Sequence, residues 1–150
     1  MLYLSQRDPR WANLKLGSSS LTISKFGCTT TSISMLSDYF GCYQSPDKIA
    51  ANPNNYTKEG LIVWQNLKFE KMKFQTRLRV CPPDSTLIEI LKDPNRAVIA
   101  NVDDGHHWVV LVKKNVIGKD WTCVDPWSGS KCDVFKTYRN IVGVAIFNKA

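Results

Sequence analysis

The 150-residue sequence contains no apolar run of membrane-spanning length and no C-x-x-C pair. The first absence argues against a transmembrane helix, which needs about 20 predominantly apolar residues in succession. The second removes the usual spacing of zinc ligands, and neither a metal nor a cofactor is expected. Five cysteines, Cys28, Cys42, Cys81, Cys123 and Cys132, are an odd number, so a complete intrachain disulfide framework is excluded. A Cys123–Cys132 bridge stays open, while small buried thiols are the bland expectation. Met1-Leu2-Tyr3-Leu4 lacks the basic start and long apolar stretch of a signal peptide. Synthesis in the cytoplasm is therefore expected, with virion association or release to a cell wall by other means. Internal repeats, low-complexity tracts and long linkers are absent too.

What remains is ordinary globular composition, 43% hydrophobic and 22% charged, and a length that suits one domain over residues 1–150. Such a chain can bury a core without metals or disulfides. The balance of 20 Lys+Arg against 13 Asp+Glu, net +7, suggests an anionic neighbour such as a wall polymer, nucleic acid or membrane surface. No nucleic-acid-binding motif is present. The basic residues are scattered except over residues 71–80, where Lys71, Lys73, Gln75, Arg77 and Arg79 alternate with Met72, Phe74, Thr76, Leu78 and Val80. That alternation predicts a half-buried strand with a basic outer face. A solvated face is the simplest reading; the functional one is a surface for an anionic wall polymer on Lys71, Lys73, Arg77 and Arg79.

Turn residues mark residues 1–20 as an irregular arm. Helices are predicted over 28–41, 46–51, 57–67 (weakened by Gly60) and 86–93. Strands rich in Val, Ile and aromatics follow at 97–102, 107–113, 120–125 and 142–148. Helices first and antiparallel strands afterwards predict an α+β domain, with N-terminal helices packed on a C-terminal sheet.

Three residues at element edges point to chemistry. Cys28 follows Gly27 at the start of the first long helix, where partial positive charge favours a thiolate. Its backbone N–H is suitably placed for a developing oxyanion, and Gly27 leaves space above the sulfur. His107 opens a strand and Asp125 ends one. Folding that hairpin about Val116 sets His107 opposite Asp125, Val109 opposite Cys123 and Leu111 opposite Trp121. Opposed residues have Cβ atoms ~4.5–5.5 Å apart, so the carboxylate would orient the imidazole. Each residue alone has a plainer reading: a core thiol, a polar strand-edge histidine (His106 also), a strand-ending turn. Their conjunction, in order, favours a cysteine nucleophile with a histidine base.

Ser5-Gln6-Arg7-Asp8-Pro9-Arg10-Trp11-Ala12, Gly27-Cys28-Thr29-Thr30-Thr31-Ser32, His107-Trp108-Val109-Val110-Leu111 and Val124-Asp125-Pro126 together resemble the papain-like cysteine peptidases related to the bacteriocin-processing, double-glycine leader peptidases, in particular their stand-alone branch. The resemblance implies a papain-like fold, Cys28 as nucleophile, His107 as general base and then acid, and Asp125 as orienting residue. It also implies an oxyanion donor upstream of the cysteine, for which Gln6 is the match. Residues 11–26 intervene here, and a hairpin insertion would be needed to bring Gln6 back. Stand-alone relatives are similar to cell-wall and phage lytic domains, so cleavage of peptidoglycan peptides is the expected activity. Acyl transfer with the same triad, or a silent module holding an anionic wall polymer, are the alternatives.

Overall fold

The computed structural model describes residues 1–150. At its centre is a helix enclosed on nearly every side. α2 (Cys28–Tyr39) carries Cys, Thr and Ser where a surface helix would carry charge, and Cys28 and Thr30 through Ser37 are all buried. Buried hydroxyls are costly unless bonded. Thr30 bonds the Tyr56 hydroxyl, Ser34 donates to the Gln44 carbonyl and Ser37 to the Ser34 carbonyl, each at 2.6 Å. Ile33, Met35 and Leu36 fill the core around them. The chain leaves the helix through Gly41 at φ +77°, a conformation that suits glycine. One turn, α1 (Ile23–Phe26), runs into α2, and α3 (Pro46–Ala50) packs against it.

The strands are β1 (Met72–Leu78), β2 (Arg96–Val102), β3 (His107–Lys114), β4 (Trp121–Asp125), β5 (Ser130–Asp133) and β6 (Gly143–Lys149). They form one antiparallel sheet in the order β1-β6-β2-β3-β4-β5. Side chains alternate between its faces as the pleat requires. Ile99, Trp108, Val110, Val124 and Phe147 belong to the core beneath α2. Val98, Val109, Leu111, Cys123 and Ile146 belong to a second core with Leu87 and Ile90 of α4 (Asp84–Lys92) and Val134 of α5 (Val134–Tyr138). Each large apolar side chain fully buried here contributes about 1.5–3 kcal/mol relative to exposure. The α+β class is as the sequence predicts, but helices cover both faces of the sheet, and β1 joins it from the first half. No helix is long and apolar enough to cross a membrane.

Three expectations are corrected. Residues 57–67 are not a helix. Gly60, at φ +86°, closes a tight turn in which Thr57 bonds Leu61, Tyr56 bridges Ile62, and a single 3-10 turn follows at Trp64–Asn66. The alternation over 71–80 is broken by a bulge between Phe74 and Thr76. Beyond it the faces exchange: Arg77 aligns with Ala145 on the α2 side and is half-buried, while Leu78 and Val80 are exposed. Lys71, Lys73 and Arg79 remain exposed, so the four cations do not share one flat face. The third correction is to the β3–β4 register, two residues from the expected one near the site.

Candidate active site

Gly27 is needed for close approach, because a Cβ there would lie 2.5 Å from the carbonyl oxygen of Ile23. It brings the chain directly from α1 into α2 and sets Cys28 at the helix start, in the wall of a cavity of about 530 Å³. Gln6, His107, Trp108, Trp127 and Tyr138 line the same cavity. Leu16, Leu21 and Ile62 add apolar lining, and Asp103 and Gly105 also line it.

Val110 pairs with Val124 and Leu111 with Cys123. That register runs two residues beyond the expected one, so His107 and Asp125 are diagonal rather than directly opposed. A shift of two keeps both on one face, since side chains repeat every second residue. His107 Nε2 accordingly lies 2.8 Å from Asp125 Oδ1. With Nε2 engaged, Nδ1 is the ring nitrogen left for the thiol of Cys28, which lines the same cleft and whose charge the imidazole influences.

Asp125 is held by more than His107. The backbone N–H of Trp127 donates to Oδ1 at 2.9 Å, and the Tyr138 hydroxyl donates to Oδ2. The rings of His107 and Tyr138 lie 5.1 Å apart. Tyr138 was not among the expected site residues. It ends a five-residue helix after a short exposed strand, and nothing periodic in the sequence marks it.

Burial alone would push the Cys28 thiol up. The influence of the neighbouring His107 imidazole outweighs it, with the Trp108 backbone N–H and Thr29 side chain adding, and the thiol sits below its ordinary value. These groups act on a thiol at the first position of α2. Burial likewise lowers His107, but its bond to Asp125 and the neighbouring Cys28 raise it from 6.5 to about 9. Burial raises Asp125, and its bonds from His107, Tyr138 and Trp127 bring it below the usual carboxylate range. The three shifts favour a thiolate, an imidazolium and a carboxylate together.

Gln6 does return to the cleft. A bridge between Lys15 and Thr22 folds residues 11–26 back as a hairpin. The Gln6 backbone N–H bonds the Pro126 carbonyl at 2.7 Å, beside Asp125, and Trp127 is further held by Ser5 Oγ and Arg7 Nε, each 3.0 Å from its carbonyl. The Gln6 side chain is 1% exposed. Its Nε2 donates one hydrogen to the Ser24 carbonyl at 3.0 Å, and its Oε1 has no partner. The second Nε2 hydrogen has no acceptor within the chain.

Of the other cysteines, Cys123 and Cys132 face each other across β4 and β5 with sulfurs 2.6 Å apart, and neither is bridged. Donation from Cys123 lowers the Cys132 thiol, while Cys123 itself is pushed up. His106 is exposed on the cleft rim. No group of three or more His, Cys, Asp and Glu side chains forms a set that would hold a metal. No protein-family model, curated protein or solved structure matches the chain.

Proposed function

We propose that this chain is a papain-like cysteine hydrolase that cuts peptide bonds, with the peptides of peptidoglycan as its substrate class. The observation that carries the reading is the His107–Asp125 pair, 2.8 Å apart, sharing with Cys28 and Gln6 the lining of one cleft. A nucleophile beside a base that is itself oriented by a third group is the constellation that acyl transfer needs.

The Cys28 thiolate attacks the scissile carbonyl carbon, and the carbonyl π electrons move onto oxygen. The free Gln6 Nε2 hydrogen and the Cys28 backbone N–H are the donors for that oxyanion. His107 gives its Nδ1 proton to the leaving nitrogen as the C–N bond breaks, leaving a thioester on Cys28 and a new amine. Neutral His107 then takes a proton from water, the hydroxide attacks the thioester, and departure of the thiolate restores the imidazolium–thiolate pair. Asp125 holds the ring throughout.

The net charge of +7 favours an acidic polymer as substrate. Incubation of the full chain with purified wall fragments and with free peptides, followed by mapping of new amino termini, tests the proposal. New termini that disappear in Cys28→Ala support it, with a loss on the order of 10⁶ in turnover. A cross-linked or acylated product without new termini would make the chain a transferase instead. Wall binding without any chemistry would make it a binding module.

A further inference from the structure

The bulge at Gln75 builds a second recess, away from Cys28. Trp64, Gln65, Lys73, Gln75, Arg77 and Arg79 line a cavity of about 660 Å³ along the open edge of β1, and no acidic residue lines it. Lys73, Arg77 and Arg79 form no ion pair anywhere in the chain. The Arg77 guanidinium lies over two indoles, 5.2 Å from the Trp108 ring and 5.9 Å from that of Trp64. Burial and the adjacent Arg79 both disfavour its charge, and no acidic side chain compensates.

We propose that this groove binds the phosphodiester groups of a base-free polyanion, a polyol phosphate chain. Three cations without counter-ions, one of them fixed on aromatic rings, favour repeated oxyanions over a single one. A planar guanidinium matches phosphate through paired N–H donors. Nucleic acid fits less well, since its single strands are held by stacking bases on exposed aromatic faces. Here Trp64 and Trp108 are buried and Arg77 already covers them. Trp108 also lines the Cys28 cleft, so an occupant of the groove lies one indole away from the reacting residues. The inference does not depend on the hydrolase reading, because none of the residues that line the groove lines the Cys28 cleft.

The test is an NMR titration of the full chain, following indole N–H groups and β1 amides, with a short synthetic glycerol phosphate oligomer. Polyglutamate and a single-stranded oligodeoxynucleotide of equal charge are run beside it. We expect saturable shifts confined to residues 64–67 and 73–79, with affinity falling as salt rises. Arg77→Gln should weaken binding by roughly tenfold or more, while Lys48→Gln, which removes the same charge from an exposed helix position elsewhere, changes it little. Arg79→Gln, at an exposed position, serves if Arg77→Gln does not fold. Cys28→Ala should bind as wild type does, so a failure of hydrolysis and a failure of binding are separable. Equal weakening by Lys48→Gln, or shifts spread over the whole surface, would overturn the site. Tighter binding of polyglutamate or the oligonucleotide would overturn the ligand class. Absence of binding would mean that the cations only guard the open edge of β1 against pairing.

Discussion

The Tyr138 hydroxyl donates to Oδ2 of Asp125, on the side of the carboxylate that His107 does not use. The two bonds together fix the plane of the carboxylate and therefore the plane of the imidazole. Tyr138→Phe removes the outer bond while keeping the ring against His107. We expect kcat to fall by up to about tenfold, the equivalent of roughly 1 kcal/mol for a hydrogen bond, with KM little changed. Steady-state kinetics on a wall fragment check this, and unchanged kcat would remove Tyr138 from the relay.

Gln6 is nearly inaccessible yet lines the cleft, with one amide hydrogen bound to Ser24. If the other supports the oxyanion, Gln6→Ala lowers kcat by ~10²–10³ with a small change in KM. A change confined to KM would assign Gln6 to substrate binding. Thermal unfolding of the variant separates either outcome from simple destabilisation.

How much was legible depended on whether the signal was local. Cys28 after Gly27, His107 opening a strand and Asp125 before Pro126 are each marked by their neighbours, and all three lie in the site. The hairpin register was not legible, because the ladder slips between Leu111 and Lys113. The pairing survived only because the net error near the site is two residues, which preserves the face. Residues 71–80 alternate without a fault, yet the chain bulges at Gln75. That extra residue depends on how β1 meets β6, which no local pattern encodes. Gly60 outweighed the helical spacing of 57–67 because the turn it makes packs on Ser19.

Cys123 and Cys132 stand directly opposite with sulfurs in contact, 2.6 Å apart. The lowered Cys132 thiol is the attacking member. With oxidised glutathione, Cys132 displaces one glutathione thiolate to form a mixed disulfide. Cys123 then displaces the second, leaving a Cys123–Cys132 bridge and two reduced glutathione molecules. Non-reducing peptide maps should show this bridge and no other intrachain link. A persistent mixed disulfide on Cys132 would contradict the geometry.

The pH profile of hydrolysis should be bell-shaped. On the acid side the Cys28 thiolate gains a proton; because its folded value is depressed, that limb lies below the range of an ordinary thiol. On the alkaline side His107 loses the proton that the leaving amine needs, so the limb falls near 9. The stability sign for His107 agrees. Its folded value is raised, so its stabilising contribution is complete below its ordinary 6.5 and is lost as pH rises through about 9. Initial rates and urea midpoints across pH measure both, and an alkaline limb near the ordinary histidine value would count against the ion pair.

The central claim is that His107 holds Cys28 as a thiolate. Iodoacetamide alkylation of the full chain, followed across pH by peptide mapping, measures it site by site. The account predicts that Cys28 reacts ahead of Cys42, Cys81, Cys123 and Cys132, already at pH values below the ordinary thiol range, and that His107→Ala abolishes this lead. Similar rates at all five cysteines, or a Cys28 rate that rises only at the ordinary thiol pKa, would contradict it.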